Sequence, residues 1–196
     1  MSADARRRRL VLGISGGPGS GKSTFAARMV REMAESGVVA VVVPMDGFHL
    51  PDAVLAERGL AEVKGSPATF DRAGFEVLLE RLRDETSVVT APAYSRELHA
   101  VVPDAISVGP EVRTVLVEGN YLGLWSSTRD RLDEIWRLDV PWEVARERLI
   151  ARRIATGRDP VAAAEWVDRV DAANAMLVAE SFSTRVIADS WLSEAN

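Results

Sequence analysis

Short apolar runs alternate along the chain with longer segments in which apolar residues recur at helical spacing. The apolar runs, which are typical of buried strands, cover residues 10–14, 38–43, 87–91, 112–117, 135–140 and 185–188. The helical patterns cover residues 23–36, 71–83, 141–154 and 161–180. This alternation predicts an α/β protein with a three-layer α/β/α fold, in which helices cover a central parallel sheet of about five strands.

Several details of the pattern give sharper predictions. The unbroken β-branched run at 38–43 predicts a strand that is buried on both faces. Asp71 is placed to cap the helix that follows it. The segments 45–70 and 92–110 look long and irregular, which in a compact domain is often a sign of function. With no repeat or linker, residues 1–196 are predicted to form a single domain.

Composition and charge exclude some classes of partner and of site. Hydrophobic residues make up 47% and charged residues 27% of the chain, as in ordinary globular proteins. The formal net charge of −5 does not favour nucleic acid as a partner. The absence of cysteine excludes a disulfide framework and fits a cytoplasmic location. No segment has the ~20 apolar residues that span a membrane. The four arginines at 6–9 are predicted to be a solvated lead-in to the first strand.

A complete phosphate-binding motif, G-x-x-x-x-G-K-[ST], follows the first predicted strand and opens the first helix. Its residues are Gly16, Gly17, Pro18, Gly19, Ser20, Gly21, Lys22 and Ser23, with Thr24 next in the helix. Glycines let successive backbone N–H groups face phosphate oxygens, and the helix N-terminus adds partial positive charge. Lys22 is predicted to reach the β- and γ-phosphates of ATP, and the Ser23 hydroxyl to bind Mg²⁺.

Two carboxylates follow predicted strands. Asp46 comes after the second strand, where a carboxylate could accept a proton from a substrate hydroxyl. An equally good interpretation is that Asp46 shapes the turn before Gly47. Glu118 follows the strand at 112–117 and is predicted to hold or orient Mg²⁺, and Gly119 would then allow a ligand to approach closely. A solvated strand end is the alternative for Glu118.

Arginines cluster around Gly157, where the helix at 141–154 ends. They are Arg146, Arg148, Arg152, Arg153 and Arg158. A cationic segment at about 151–161 could close over a triphosphate as a lid. The alternative is a solvated helix whose arginines pair with Glu143 and Glu147.

Taken together, the motifs GGPGSGKST, MDGFHLP, TFD, APAYSRELH, VEGNYL and RERLIARRIATGRDP resemble those of the bacterial nucleoside/nucleotide kinase family. That family is similar to uridine kinase, phosphoribulokinase and bacterial pantothenate kinase, and includes proteins labelled fructose-transport-system kinases. The resemblance covers nearly the whole chain. It implies that Asp46 is the base, that Glu118 lies near Mg²⁺, and that Arg152 and Arg153 are lid residues over the phosphates. It implies an acceptor site at His49, Asp71, Tyr94, Arg96 and Tyr121.

The resemblance implies a kinase that transfers the γ-phosphate of Mg·ATP to a hydroxyl of a small metabolite. The chain lacks the tyrosine that uridine kinase carries after Phe48, and it lacks the long insertions of pantothenate kinase and phosphoribulokinase. Nucleoside, sugar, pantothenate-like vitamin and sugar phosphate therefore stay open as acceptors, and a homodimer stays open too. The rival function is a regulatory phosphate-loop NTPase without a small-molecule acceptor, although the N-K-x-D motif of a GTPase is absent.

Overall fold

The computed structural model describes residues 8–84, 86–95, 97–98 and 100–188. The strands are β1 (Leu10–Gly16), β2 (Ala40–Pro44), β3 (Val89–Ser95), β4 (Ala100–Val108), β5 (Thr114–Gly119), β6 (Glu134–Asp139) and β7 (Arg185–Ala188). The α-helices are α1 (Lys22–Glu35), α2 (Asp52–Glu57), α3 (Arg72–Arg81), α4 (Ser126–Arg129), α5 (Trp142–Ala155), α6 (Pro160–Trp166) and α7 (Ala172–Ala179). Among these described helices, none combines the length and apolar character that a membrane span requires.

Five of the described strands form one parallel sheet in the order β2-β5-β1-β6-β7. Strand β1 lies at its centre, where Leu12 is in register with Leu116 on one side and Glu134 on the other. Because all the strands run in the same direction, the carboxyl ends of β1, β2 and β5 meet at one edge of the sheet. The predicted three-layer α/β/α fold with a central parallel sheet of five strands is confirmed.

The two faces of the sheet carry separate cores, as the two-residue period of a strand requires. On one face, Leu12 and Ile14 of β1 pack with Phe25 and Met29 of α1. On the other face, Val11 packs with the cluster that contains Phe75 and other apolar residues of α3. The helix that carries the phosphate-binding motif is therefore fixed directly to the central strand.

Two predictions about strands were wrong. Strand β2 lies at the edge of the sheet, so most of its residues are only half-buried instead of being covered on both faces. Segment 92–110 is not irregular, because β3 and β4 pair there as an antiparallel hairpin outside the central sheet. Pro92 and Pro103 interrupt the apolar pattern, but a two-stranded hairpin has open edges on which proline is tolerated.

The predicted helix at 161–180 is interrupted by a π-helical segment, Val167–Asp171, between α6 and α7. A π turn inserts one residue and rotates everything after it relative to the α-helical pattern. Leu177, which the helical period places on the apolar face, is consequently 43% exposed, whereas Val178 is buried. The same rotation buries Asp171 and Asn174.

The prediction that the arginine run is solvated was wrong for Arg9, which is fully buried. Its guanidinium donates hydrogen bonds to the backbone carbonyls of Val112, Leu82, Asp84 and Gly109 at distances of 2.7–3.0 Å. These carbonyls follow α3 or lie in the turn between β4 and β5. Arg9 thus joins both segments to the start of the central strand.

We expect Arg9→Met to lower the free energy of unfolding by on the order of 3 kcal/mol, since it leaves several buried carbonyls without their donor. Arg8→Met is the matched control. The Arg8 side chain is 67% exposed and pairs with Asp133 at the surface. Its loss should therefore lower the free energy of unfolding by less than about 1 kcal/mol. Urea unfolding of both variants tests this, and equal costs would contradict the anchoring role of Arg9.

Candidate active site

The phosphate-binding motif forms the loop between β1 and α1, in the strand–loop–helix context that the sequence predicts. Gly19 and Gly21 have positive φ angles of 76° and 84°, which favour glycine. A Cβ on Gly19 would also lie 2.6 Å from the backbone oxygen of Ala145. Lys22 Nζ donates a hydrogen bond of 3.2 Å to Gly17 O, so its ammonium lies across the loop. The loop and the N-terminus of α1 provide an anion-binding cradle.

Glu118 lies beside this loop because β5 is the neighbour of β1 in the sheet. The Ser23 hydroxyl donates a hydrogen bond of 3.0 Å to Glu118 Oε1, and Glu118 is buried. The expectation that Gly119 leaves room for a ligand is wrong. A Cβ at that position would lie 2.6 Å from Cβ of Met45, so the space is filled by protein.

Asp46 lies in a short 3₁₀ segment, Met45–Phe48, that follows the edge strand β2. Its carboxylate is 4.0 Å from Nε2 of His49, and the side chain is 42% exposed. The imidazole of His49 stacks on Phe70 with centroids 4.1 Å apart, and Tyr94 approaches it edge-on at 5.5 Å. Gly47 is confined because a Cβ there would lie 2.3 Å from Pro92 O on the hairpin. Asp46 therefore occupies a turn that its neighbours hold in place, and its side chain faces a cavity.

That cavity has a volume of about 460 Å³ and joins the loop to the Asp46 cluster. The residues predicted from the sequence that line it are Pro18, Gly19, Gly21, Lys22, Ser23, Thr24, Asp46, His49, Tyr94, Glu118, Arg152 and Arg153. Residues from the phosphate loop, the ends of β2 and β5, the hairpin and α5 thus meet at the carboxyl edge of the sheet. A nucleotide and a second small molecule could lie here in contact with each other.

Some predicted residues do not line this cavity. Tyr121 is fully buried in the core, and its hydroxyl donates to Gly65 O. Burial raises the pKa of Tyr121 well above its usual value, so the hydroxyl remains a donor. Asp71 caps α3, where it accepts a hydrogen bond of 3.0 Å from Gly74 N. Arg96 lies outside the described residues. Of the loop residues, Gly16, Gly17 and Ser20 complete the turn without lining this cavity.

The arginines of α5 divide between the cavity and the surface. Arg148, Arg152 and Arg153 line the cavity. Arg146 faces away and forms a two-point ion pair with Asp168 at 2.6 and 2.8 Å, and Glu147 adds a weaker coulombic attraction. Three of the clustered arginines therefore put positive charge beside the phosphate loop.

Seven lining residues escaped the sequence-based assignment, and four of them are polar or charged, namely Lys64, Asn120, Arg148 and Asp171. Asn120 lay within a recognised motif, and Arg148 within the recognised arginine cluster. Asp171 carried no signal, because the π turn that directs it inward is not visible in the helical pattern. Its Oδ2 is 3.2 Å from Arg153 Nη2. Burial raises the pKa of Asp171 above its usual value, and the charge of Arg153 acts in the opposite direction.

The sequence and fold are similar to those of known kinases. The model of the phosphoribulokinase / uridine kinase family matches residues 11–187. A putative uridine kinase from Schizosaccharomyces pombe is 32% identical over 91% of this chain and 81% of that protein. Pantothenate kinase from Yersinia pestis is 33% identical over 61% of this chain but only 38% of its own length. The crystal structure of a putative fructose transport system kinase from Silicibacter sp. TM1040 has a TM-score of 0.86 and 34% identity, and covers 95% of this chain and 93% of that one.

Proposed function

The chain belongs to the phosphoribulokinase / uridine kinase family and is a phosphate-loop kinase that transfers phosphate to an alcohol group, and on that premise we propose how it acts. We propose that the donor is ATP with Mg²⁺ and that the acceptor is a hydroxyl of a small metabolite. The observation that carries this proposal is that Asp46 lines the same cavity as Lys22, Ser23 and Glu118. We place the reaction in the cytoplasm, where ATP is abundant, with the whole chain acting as one domain.

The residues on the donor side fit a triphosphate and its metal ion. The glycine cradle would hold the phosphates through backbone N–H groups, and Lys22 would neutralise charge on the β- and γ-phosphates. The Ser23 hydroxyl and the Glu118 carboxylate are the oxygen ligands that Mg²⁺ prefers. Within the described residues, no group of three or more His, Cys, Asp or Glu is arranged to hold a metal ion. Bound Mg²⁺ would neutralise charge on the transferring group.

The residues on the acceptor side would orient the hydroxyl. We propose that Asp46 accepts the proton of that hydroxyl as the new P–O bond forms. His49 lies beside Asp46 and is held by Phe70, so it would fix the acceptor and the carboxylate relative to each other. Tyr94 would contact the acceptor from the hairpin. For Asp71, Arg96 and Tyr121 the resemblance remains the whole support for an acceptor role.

The test is ADP formation from Mg·ATP, measured by a coupled assay with a panel of nucleosides, sugars, hydroxy acids and sugar phosphates. We expect ADP formation to rise at least tenfold above the basal rate with one class of acceptor. A regulatory NTPase predicts instead the same rate of ADP formation with every compound. That outcome would contradict the proposed function.

We propose that residues 151–161 act as a lid that bound nucleotide orders. Mg·AMP-PNP should slow hydrogen exchange across this segment, because Arg152 and Arg153 would gain phosphate contacts. Arg153→Ala should lower kcat with every acceptor, since its defect concerns the donor. Arg146→Ala is the matched control on the same helix, and its kcat should stay near that of the wild type. Unchanged exchange together with unchanged kcat for Arg153→Ala would contradict the lid.

A further inference from the structure

A second cavity of about 730 Å³ adjoins the first and shares Lys64, Tyr94 and Arg153 with it. It lies between the segment that begins at α2 and the helix α6 beyond the lid. Leu55 and Ala163, both buried, contribute apolar surface to it. Because the two cavities share residues, a molecule whose hydroxyl lies near Asp46 could extend into the second one.

The charged side chains around this second cavity are mostly cationic. Lys64, Arg153 and Arg158 line it, against a single lining carboxylate, Asp52. Asp52 is paired with Lys64 at 2.5 Å, so these two charges largely offset each other. Arg153 pairs with Asp171 on the side of the first cavity. For Arg158 no ion pair with another described residue is found, which leaves an excess of positive charge at this place.

Two buried N–H groups at the second cavity also lack an acceptor among the described residues. They are Nε1 of Trp166 and Nε of Arg153. The two side chains stack, with the guanidinium carbon 5.0 Å from the centre of the indole ring, so each helps to hold the other in place. Buried donors in native proteins are almost always paired, and an unpaired one calls for an explanation. A ligand that presents oxygen acceptors would satisfy them, provided that the Trp166–Arg153 stack shifts to open both N–H groups, which have almost no accessible surface in this structure.

From these observations, and resting on the proposed function, we infer that the phosphate acceptor is an anion. Its carboxylate or phosphate group would be bound in the second cavity by Arg158 and Lys64, and by the indole N–H of Trp166 once that side chain turns toward it, while its hydroxyl lies near Asp46. A guanidinium offers paired donors that match a carboxylate or a phosphate, and a lysine adds a point charge. A neutral sugar or nucleoside would leave Arg158 without an ion-pair partner among the described residues.

Matched pairs of compounds test the inference in two arms. The pairs are D-glycerate with glycerol, pantothenate with panthenol, and ribulose 5-phosphate with ribulose. Calorimetry with the wild-type protein and Mg·AMP-PNP measures binding, and coupled ADP formation with Mg·ATP measures turnover. We expect the anionic member of at least one pair to bind at least tenfold more tightly than its neutral partner. The glycerate and pantothenate pairs report a carboxylate, whereas the ribulose pair reports a phosphate.

Two variants test whether the second cavity causes the preference for anionic acceptors. Arg158→Gln and Trp166→Phe should raise KM for the preferred anion by about 10–100-fold, as expected for lost hydrogen bonds to a charged group. The thermal shift that Mg·ATP produces should remain. Arg81→Gln, at an exposed position at the end of α3, is the matched control and should leave KM unchanged.

Failure of the anion site and failure of the proposed kinase activity would give different results. Turnover of neutral alcohols with no preference for anions would overturn the anion site but would support the proposed kinase activity. Binding of an anion without any acceptor-dependent ADP formation would keep the anion site and contradict the proposed function. A panel in which no anion binds more tightly than its neutral partner, or a preference that survives Arg158→Gln and Trp166→Phe, would overturn the inference.

Discussion

Replacing Lys22 by methionine is expected to reduce phosphoryl transfer by about 10²–10³-fold. The loss of one preorganised electrostatic contact typically costs ~3–4 kcal/mol of transition-state stabilisation, and Lys22 is the only ammonium group in the phosphate loop. Methionine is one atom shorter than lysine and keeps most of its apolar stem, so the fold should be preserved. Steady-state ADP formation with saturating ATP and an active acceptor measures the effect.

The control for Lys22 is Arg31→Met on the same helix. Arg31 is exposed on α1 and does not line the cavity, so its replacement should leave turnover within about twofold of the wild type. Circular dichroism of both variants checks that neither has unfolded. A Lys22→Met protein that is folded and transfers phosphate at a near wild-type rate would remove the loop from the mechanism.

Asp46→Asn is expected to lower acceptor-dependent turnover by about 10²–10⁴-fold, the usual contribution of a positioned acid–base group. Asparagine keeps the size of the side chain and removes its charge. ATP binding should stay close to normal, because Lys22, Ser23 and the loop amides are untouched. Nucleotide should still stabilise the fold, by ~2.7 kcal/mol at a hundredfold excess over its Kd. Hydrolysis without an acceptor should fall much less.

If Asp46 only shapes the turn before Gly47, the outcome differs. The variant should then lose stability with little selective effect on transfer. The informative measurement is a pair on one preparation, namely the thermal shift with Mg·ATP and the acceptor-dependent rate. Asp130→Asn, at an exposed position after α4, is the matched control for removal of a surface charge. Normal ATP binding with nearly wild-type transfer would exclude Asp46 from catalysis.

Local patterns allowed much of the fold and the donor site to be predicted. The phosphate loop is continuous in sequence, and the helix after it begins at Lys22, one residue before the prediction. Strand β7 has the predicted bounds, because its apolar run is short and clearly delimited. Glu118 was found because an acidic residue directly after a hydrophobic strand is the usual second carboxylate of a phosphate-loop enzyme, and its strand β5 does lie beside β1.

What the sequence left unpredicted depends on tertiary contacts. Arg9 looks like its three arginine neighbours, and only the surrounding carbonyls distinguish it. Lys64 comes from a segment without a regular apolar pattern, and it lies between two 3₁₀ turns with its ammonium 5.9 Å from the centre of the Tyr94 ring. Asp171 faces inward because of a π turn, which the helical spacing of apolar residues in the sequence does not reveal. The acceptor side was the less well predicted half of the site, because Asp71 caps a helix and Tyr121 is buried in the core instead of lining the cavity.

The central claim is that phosphate passes from ATP to a hydroxyl group and not to water. Phosphorus NMR of a reaction with Mg·ATP and the best acceptor of the panel tests this directly. The account predicts one new phosphomonoester for each ADP formed, no matching rise in inorganic phosphate, and loss of the phosphomonoester in Lys22→Met. ADP and inorganic phosphate formed in equal amounts, at a rate that no acceptor changes, would contradict it.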